Sequence, residues 1–263
     1  MANDEKVYKK LRVYNAVMGF FHLVQGSLML WLSNDFKLPI TTDYLNIDLA
    51  TKAINPIKST IYDLRIGPII AIFLFISALA HFLLSTVLYK WYVANLAKKI
   101  NYARWYEYAL SSSVMIIVIA MLCGVFDLSS LILIFALNAC MNLFGLSMEL
   151  HNQTIQQVHG GQKTNWTTYI FGCFAGIIPW IVVYLYFSGA VASVGDVIPK
   201  FVYWILITIF VTFMCFAVNM YLQYRKVGKW KDYLYGEVVY VALSLIAKSA
   251  LAWQIFSGTL RPQ

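Results

Sequence analysis

The hydrophobic positions of this chain fall into seven long apolar stretches separated by polar segments. Each stretch is long enough for an α-helix to cross the roughly 30 Å hydrocarbon core of a bilayer. They run approximately from Val13 to Leu32, Ile66 to Tyr89, Glu107 to Val125, Leu128 to Met148, Thr167 to Phe187, Phe201 to Tyr221 and Glu237 to Phe256. The pattern predicts an all-α membrane protein, a bundle of seven transmembrane helices.

The composition agrees with a membrane location. The chain is 60% hydrophobic and 12% charged, which is outside the range of soluble globular domains. The longest polar connection, residues 33–65, is too short to suggest a second unit, so we predict one domain over residues 1–263. Because the N-terminus is charged and the first apolar stretch is of spanning length, we expect no cleavable signal peptide.

Positive charge is distributed unevenly between the two sides of the predicted bundle. Thirteen Lys and Arg residues lie in the N-terminal segment and in the second-to-third, fourth-to-fifth and sixth-to-seventh connections. Six lie on the other side: Lys37, Lys52, Lys58, Arg65, Lys200 and Arg261. The positive-inside rule then predicts a multi-pass protein of the cell membrane with a cytoplasmic N-terminus, an extracellular 33–65 connection and an extracellular C-terminus. The net charge of +8 reflects this orientation and does not indicate nucleic-acid binding.

One lysine stands apart from the other basic residues. Lys248 lies near the middle of the seventh stretch, whereas every other Lys or Arg can be placed in a loop or at a helix end. A cation inside a membrane helix is costly, so it normally faces the protein interior and has a function. A buried lysine also loses its proton readily, and the neutral amine forms a Schiff base with a carbonyl compound. We therefore predict covalent attachment of an aldehyde at Lys248.

A buried cation needs an anion close by, and Glu107 is the candidate. It enters the third stretch from the same side as the seventh stretch, and a lysine side chain leans back toward the start of its helix. The other carboxylates, including Asp127, Glu149, Asp196 and Glu237, are placed in loops or at helix ends. The alternative is that Glu107 forms an interfacial ion pair with Arg104.

Further polar residues recur at helical spacing around this pair. They are Ser244 and Glu237 on the seventh stretch, Ser111 on the third, Ser77 and His81 on the second, Asn15, His22 and Gln25 on the first, and Asn138 and Asn142 on the fourth. Trp180, Phe210, Phe213 and Phe216 lie deep in the fifth and sixth stretches. These residues predict a solvated interior cavity beside an aromatic pocket, although each taken singly is as consistent with helix–helix packing. The four cysteines have no metal-ligand spacing and are predicted to be small buried thiols, so no metal site is expected.

Four segments carry a resemblance to a known family: Ser244–Leu260, Arg104–Met115, Phe171–Trp180 and Tyr221–Tyr224. The first two strongly resemble the heliorhodopsins, and the resemblance extends in order over nearly the whole chain. The resemblance implies all-trans retinal bound to Lys248, Glu107 as its counterion and an inverted orientation relative to the common microbial rhodopsins. It also implies a homodimer and a slow photocycle without robust ion pumping. The pocket and cavity residues that it carries over are Ser244, Ser77, Asn138, Trp180, Phe213, His22 and His81.

The distribution of carboxylates bears on proton transport. The outer half of the predicted bundle has no obvious buried Asp or Glu, whereas His22 and His81 can hold a proton near Glu107. This favours a light-sensing photoreceptor that signals to a cytoplasmic partner. The residues predicted to change at that face are Arg104, Glu149 and Glu237, unless they form ordinary interfacial ion pairs.

Three alternatives remain open from the sequence. The first is a weak light-driven proton transporter or channel, and the second is a light-dependent regulator of a soluble enzyme. The third is a bundle without retinal in which Lys248 is a member of an ion pair. Intrinsic catalysis is not expected, because the chain shows no set of nucleophile, base and orienting group.

Overall fold

The computed structural model describes residues 2–159, 163–194 and 198–260, and the structural statements that follow concern these residues. Asp196 and Arg261, two charged residues that the sequence analysis placed outside the helices, lie outside the described residues.

The structure is a helical bundle with one β-hairpin. Its helices are α1 (Ala2–Leu32), α2 (Ile66–Ser85), α3 (Tyr89–Leu96), α4 (Tyr102–Leu122), α5 (Leu128–His159), α6 (Thr167–Val194), α7 (Lys200–Arg225) and α8 (Tyr233–Ile255). A single turn of π-helix, Phe256–Leu260, continues α8. Within the described residues, seven helices are long and apolar enough to cross a membrane, and only α3 among the eight is too short. The seven-helix prediction is confirmed.

Several helices extend beyond the apolar stretches that predicted them. Helix α4 begins at Tyr102 because the Asn101 side chain caps it and accepts a hydrogen bond from the Arg104 amide at 3.1 Å. Helix α8 begins at Tyr233 because Asp232 accepts a hydrogen bond from the Leu234 amide at 3.0 Å. In α1, α4 and α5 the added turns contain charged residues, such as Arg104 and Glu149, which a hydropathy window excludes. These residues therefore lie within helices, whereas the sequence analysis had placed them in loops or at helix ends.

The 33–65 connection is a β-hairpin, so the all-α prediction is wrong for this segment. Strand β1 (Lys37–Ile47) pairs antiparallel with β2 (Ile54–Arg65), with a register shift between Ile40 and Thr41. Both strands are rich in Ile, Thr and Tyr, which favour extended backbone. In the turn, hydrogen bonds from Thr51 and from the backbone lower the pKa of Asp48. Most positions of both strands are exposed, so the sequence shows no alternation of buried and exposed residues there, and the hairpin was not predicted.

Backbone hydrogen bonds join the hairpin segment to the π-helical turn after α8 and to the connection between α4 and α5. The Asn34 amide donates to the Leu260 carbonyl at 2.9 Å, and the Thr41 amide donates to the Phe126 carbonyl at 2.8 Å. We call this end of the bundle the hairpin end, and the end at which α1 begins the N-terminal end. Helix α3 lies at the N-terminal end, where its buried Tyr92 and Leu96 pack against Leu11 and Leu234.

The two halves of the bundle differ in polarity. The largest apolar cluster fills the hairpin half and includes the fully buried Phe73, Ile116 and Leu251. Most of the buried polar side chains lie toward the N-terminal end. Among the described residues, the hairpin half contains no buried Asp or Glu. Any charge-based chemistry inside the bundle is therefore confined to the N-terminal half.

Candidate functional site

The centre of the site is an ion pair between α8 and α4. The Lys248 Nζ atom donates to the Glu107 Oε1 atom at 2.9 Å and to the Ser244 hydroxyl at 2.8 Å. The two charged side chains are 3% and 9% exposed. The structure thus brings together Lys248, Glu107 and Ser244 as predicted. The alternative pairing of Glu107 with Arg104 is wrong, because Arg104 binds other carboxylates.

Further contacts stabilise the carboxylate and the ammonium group of this buried pair. The Ser77 hydroxyl of α2 lies 2.6 Å from Glu107 Oε1, and Ser111 is fully buried one turn further along α4 beside the same carboxylate. The Lys248 nitrogen also lies 5.2 Å from the centre of the Tyr108 ring. A buried ion pair is tolerated only when additional contacts offset its lost hydration. Ser77, Ser244 and the aromatic ring supply such contacts here.

An apolar cavity extends from Lys248 toward α6. A space of 50 Å³ beside Lys248 shares the walls Tyr108, Met141, Asn142, Phe213 and Phe216 with a larger cavity of 310 Å³. Trp180 lines the larger cavity and packs edge-to-face on Phe210 and Phe213, at ring distances of 5.2 and 5.5 Å. The predicted aromatic pocket is therefore present. Its apolar walls and the reactive amine at one end suit a long apolar aldehyde.

Three glycines keep this cavity open: Gly145 of α5 and Gly172 and Gly176 of α6 line it. A Cβ atom at Gly145 would overlap the Trp105 ring, and one at Gly176 would overlap the Met141 side chain. The sequence analysis missed these residues. The spacing of Gly172 and Gly176, a small-residue pair on one helix face, was the available signal.

Asn138 has an indirect role in the pocket. Its Nδ2 atom donates to Ser112 at 2.8 Å and to Ser113 at 3.0 Å, which ties α5 to α4. Asn142 donates to Ser112 as well, at 3.1 Å. Ser112 and Asn142 line the space beside Lys248, so Asn138 supports the wall of the pocket from behind.

The two histidines lie together on the N-terminal side of the pair. His81 Nδ1 is 2.7 Å from the Asn15 Oδ1 atom, and the His22 ring stacks on His81 with centroids 5.5 Å apart. His22 is fully buried, and neither of its ring nitrogens has a hydrogen-bond partner among the described residues. Gln25 does not join them, because it is paired with Trp253 on the outer surface.

The model of the heliorhodopsin family matches residues 11–260. The chain belongs to the heliorhodopsin family. It is therefore a protein of the retinal photoreceptor type, and the heliorhodopsins are not one of the established enzyme families. Comparison with curated proteins gave no match.

This heliorhodopsin contains a second ionic group, the Arg104 triad, which consists of Arg104, Glu149 and Glu237. The guanidinium forms ion pairs with both carboxylates, and all three side chains are at most 4% exposed. The sequence analysis had grouped these three residues at helix ends, with ordinary interfacial ion pairing as the alternative. The structure brings them together in ion pairs, and Arg104 lies in the first turn of α4. The expected surface exposure is wrong, because the three side chains are buried and α5 continues past Glu149 to His159.

Several residues that complete the Arg104 triad were also missed. The Asn101 amide donates to Glu149 at 2.8 Å, and its side chain donates to Glu237 at 2.6 Å. The guanidinium lies 3.9 Å from the centre of the Tyr240 ring and 4.5 Å from that of Trp105. The position of Glu237 on the same face of α8 as Lys248 was a signal of its burial.

A narrow polar cavity connects the two ionic groups of this heliorhodopsin. It has a volume of 30 Å³, above the roughly 10–15 Å³ that one water molecule requires. Its walls include Asn15, His81, Glu107, Arg104 and Glu237. Groups that can hold or pass a proton thus line one space between Glu107, the partner of Lys248, and two members of the Arg104 triad, Arg104 and Glu237.

The Arg104 triad makes a prediction about stability. Arg104→Gln leaves two buried carboxylates without a cation, and we expect it to destabilise the fold by about 3–5 kcal/mol. Thermal denaturation of the detergent-purified protein measures this as a large fall in the midpoint temperature.

The control is Arg12→Gln, which removes an exposed arginine at the same end of the bundle whose guanidinium donates to the Ser85 carbonyl at 2.8 Å. Adding Glu149→Gln and Glu237→Gln to Arg104→Gln should restore part of the lost stability, because no uncompensated charge then remains. A loss for Arg104→Gln no greater than for Arg12→Gln would contradict the structural role of the triad.

Proposed function

We propose that the protein is a light-sensing photoreceptor that carries all-trans retinal as a Schiff base on Lys248, with Glu107 as counterion. The observation that carries the proposal is the buried Lys248–Glu107 pair at the end of an apolar, aromatic-lined cavity. Bound retinal would supply absorption of visible light and a light-driven change of shape. The protein supplies a fixed anion, a hydroxyl from Ser244 and walls that exclude water.

The proposal includes an orientation and an assembly. We propose that the N-terminal end faces the cytoplasm and the hairpin end faces outward in the cell membrane. The thirteen-to-six distribution of basic residues supports this topology. We also propose a homodimer, which rests on the family resemblance.

The polar groups define where a proton can be held. Lys248 and Glu107 face the histidines and the narrow polar cavity, whereas the apolar half on their other side lacks buried carboxylates among the described residues. A proton displaced from the Lys248 nitrogen would be held by Glu107, His81 or His22 and then returned. This arrangement suits a slow photocycle without robust pumping. The output would pass through the Arg104 triad to a cytoplasmic partner that is not identified.

A second candidate function is a weak proton transporter or channel. The narrow polar cavity favours it, because it provides half of a path from Glu107 toward the N-terminal end. The other half would have to cross the apolar cluster of the hairpin half, which supports the sensor instead.

A sensor that regulates a soluble enzyme is one form of the proposed partner interaction. Isolation of proteins bound to native membranes in darkness and in light would identify that partner.

The first prediction concerns the attachment site. Lys248→Ala and Lys248→Arg should form no visible pigment with all-trans retinal, because neither side chain offers a primary amine that can lose its proton. The absorption spectrum after retinal addition measures this. Lys200→Ala, at the exposed start of α7, is the control and should form the normal pigment. A normal visible band in Lys248→Ala would refute the Schiff-base assignment, provided that size-exclusion chromatography shows an intact protein.

The second prediction concerns the counterion. Glu107→Gln should shift the visible band to the red, or the band should disappear at a lower pH than in the parent protein. Without the carboxylate, the positive charge is less stabilised and more delocalised. Titration of the spectrum from about pH 5 to 9 tests this, with and without halide, because chloride can partly replace the anion.

Glu5→Gln is the control for the counterion variant, because Glu5 forms an exposed ion pair with Lys9 at 2.8 Å. It should leave the spectrum and its titration unchanged. If Glu107→Gln also titrates like the parent protein, another group is the counterion.

The third prediction concerns proton movement. Illuminated cells that express the protein should show no pH change sensitive to an uncoupler, whereas flash absorption should show a transient blue shift. His81→Ala should alter the rise or decay of that transient. His151→Ala, an exposed histidine on α5, is the control and should not. A sustained uncoupler-sensitive pH change would favour the transporter.

A further inference from the structure

The side-chain amide of Asn15, on α1, is held in one orientation. Its Nδ2 atom donates to the Leu11 carbonyl at 2.8 Å, one turn earlier on the same helix. A backbone carbonyl can only accept a hydrogen bond, so the NH₂ group of the amide must lie on that side. The Oδ1 atom therefore faces His81, and it lies 2.7 Å from His81 Nδ1. Asn15 is 1% exposed, so bulk water does not turn the amide around.

The fixed amide determines which nitrogen of His81 carries the hydrogen. An amide oxygen is an acceptor only, so a contact of this length requires the hydrogen to be on Nδ1. A neutral imidazole has a hydrogen on one ring nitrogen and a lone pair on the other. A neutral His81 that makes this contact therefore has its lone pair on Nε2.

The neighbours of His81 leave that lone pair accessible from the Glu107 side. The ring of His22 lies parallel to His81, with an angle of 6° between the ring planes and 5.5 Å between the centroids. The lone pair of an imidazole lies in the plane of its ring, so a parallel stack does not engage Nε2. His81 and Glu107 both line the narrow polar cavity, which is large enough for a water molecule.

We propose that Asn15 is a positioning residue that holds His81 as the Nδ1–H tautomer and thereby makes Nε2 the proton acceptor of the histidine pair, His22 and His81. The acceptor role rests on the proposed photoreceptor function, whereas the tautomer does not. In the transfer, an N–H bond at the Lys248 nitrogen breaks, the proton passes by way of the Glu107 carboxylate, and an N–H bond forms at His81 Nε2. The positive charge moves from Lys248 to the imidazole ring, and Nδ1–H continues to donate to Asn15.

The same contact decides where the proton goes next. The amide of Asn15 is not a base at neutral pH, so the ring cannot release a proton from Nδ1 toward α1. The proton leaves from Nε2, the nitrogen at which it arrived, and returns by way of Glu107 to Lys248. Asn15 thus makes the histidine pair a place where a proton is held and from which it returns by the same route.

The tautomer is measured on the full-length protein in lipid vesicles before retinal is added. Solid-state NMR of protein labelled with ¹³C,¹⁵N-histidine distinguishes the tautomers, because protonated and unprotonated ring nitrogens have well-separated ¹⁵N shifts. The chain has four histidines, and the signal that is absent from His81→Phe belongs to His81. At about pH 8.5, where ordinary histidines are neutral, we expect this signal to be that of the Nδ1–H form.

Two substitutions of Asn15 separate its acceptor from its place in the packing. Asn15→Leu has a similar size but no acceptor, so the Nδ1–H signal should be lost or shared with the Nε2–H form. Asn15→Asp keeps an oxygen beside His81 and should keep Nδ1 protonated. The matched control is Asn95→Leu, because Asn95 donates to the Trp91 carbonyl at 2.8 Å, also one turn earlier on its helix, and lies on α3 away from the histidine pair. Its His81 signal should be that of the parent protein.

Flash absorption of the pigment tests the acceptor role. Asn15→Leu should slow the rise of the blue-shifted transient by about three- to tenfold, the range that the loss of one neutral hydrogen bond supports. Asn95→Leu should leave the rise unchanged. The proposal is overturned if His81 of the parent is the Nε2–H form, if Asn15→Leu keeps the parent tautomer, or if both Leu variants have the same rise. Failure of the parent to form a pigment would refute the proposed function instead, and the NMR measurement would still decide the role of Asn15 in fixing the tautomer.

Discussion

The buried Lys248–Glu107 ion pair is the constraint on which the rest of the structure depends. A charge at this depth must be neutralised by a partner, and each partner needs further contacts of its own. Ser77, Ser244 and the Tyr108 ring provide them, which draws α2, α4 and α8 together. The polar half of the bundle is arranged around this requirement, and the apolar half is left for packing.

Helix α4 connects the two ionic groups. Arg104 and Glu107 are three residues apart, yet they belong to different partners, and the narrow polar cavity lies between them. A change in charge at Glu107 therefore alters the field at the Arg104 triad directly. Because the Tyr233 hydroxyl donates to Glu149, the influence reaches the start of α8 as well. The coupling between the two ionic groups therefore does not depend on a long series of intervening side chains.

The sequence predicted the seven helices, the ion pair and the aromatic pocket because each has a local signal. Apolar length identifies a span, and an isolated Lys248 requires an anion. It did not predict the hairpin, because exposed strands leave little pattern of burial. It grouped Arg104, Glu149 and Glu237 but did not predict their burial, because the pairing of one guanidinium with two carboxylates is visible only in three dimensions. The prediction of four buried thiols is correct for Cys123 and wrong for the others, because Cys140 and Cys173 are exposed and Cys215 is half-buried.

The two ends of α8 are attached to the rest of the protein by different kinds of contact, and the hairpin segment supplies one of them. At one end, Asn34 holds the Leu260 carbonyl through its amide and the Thr259 carbonyl through its side chain. These are contacts between uncharged groups, and they do not respond to a proton. At the other end, α8 is held by the ion pair of Glu237 in addition to uncharged hydrogen bonds from Asn219 and Gln223 to the backbone. A change of charge at Lys248 therefore acts on the attachment of α8 at the Glu237 end, whereas the hydrogen bonds from Asn34 at the other end stay unchanged.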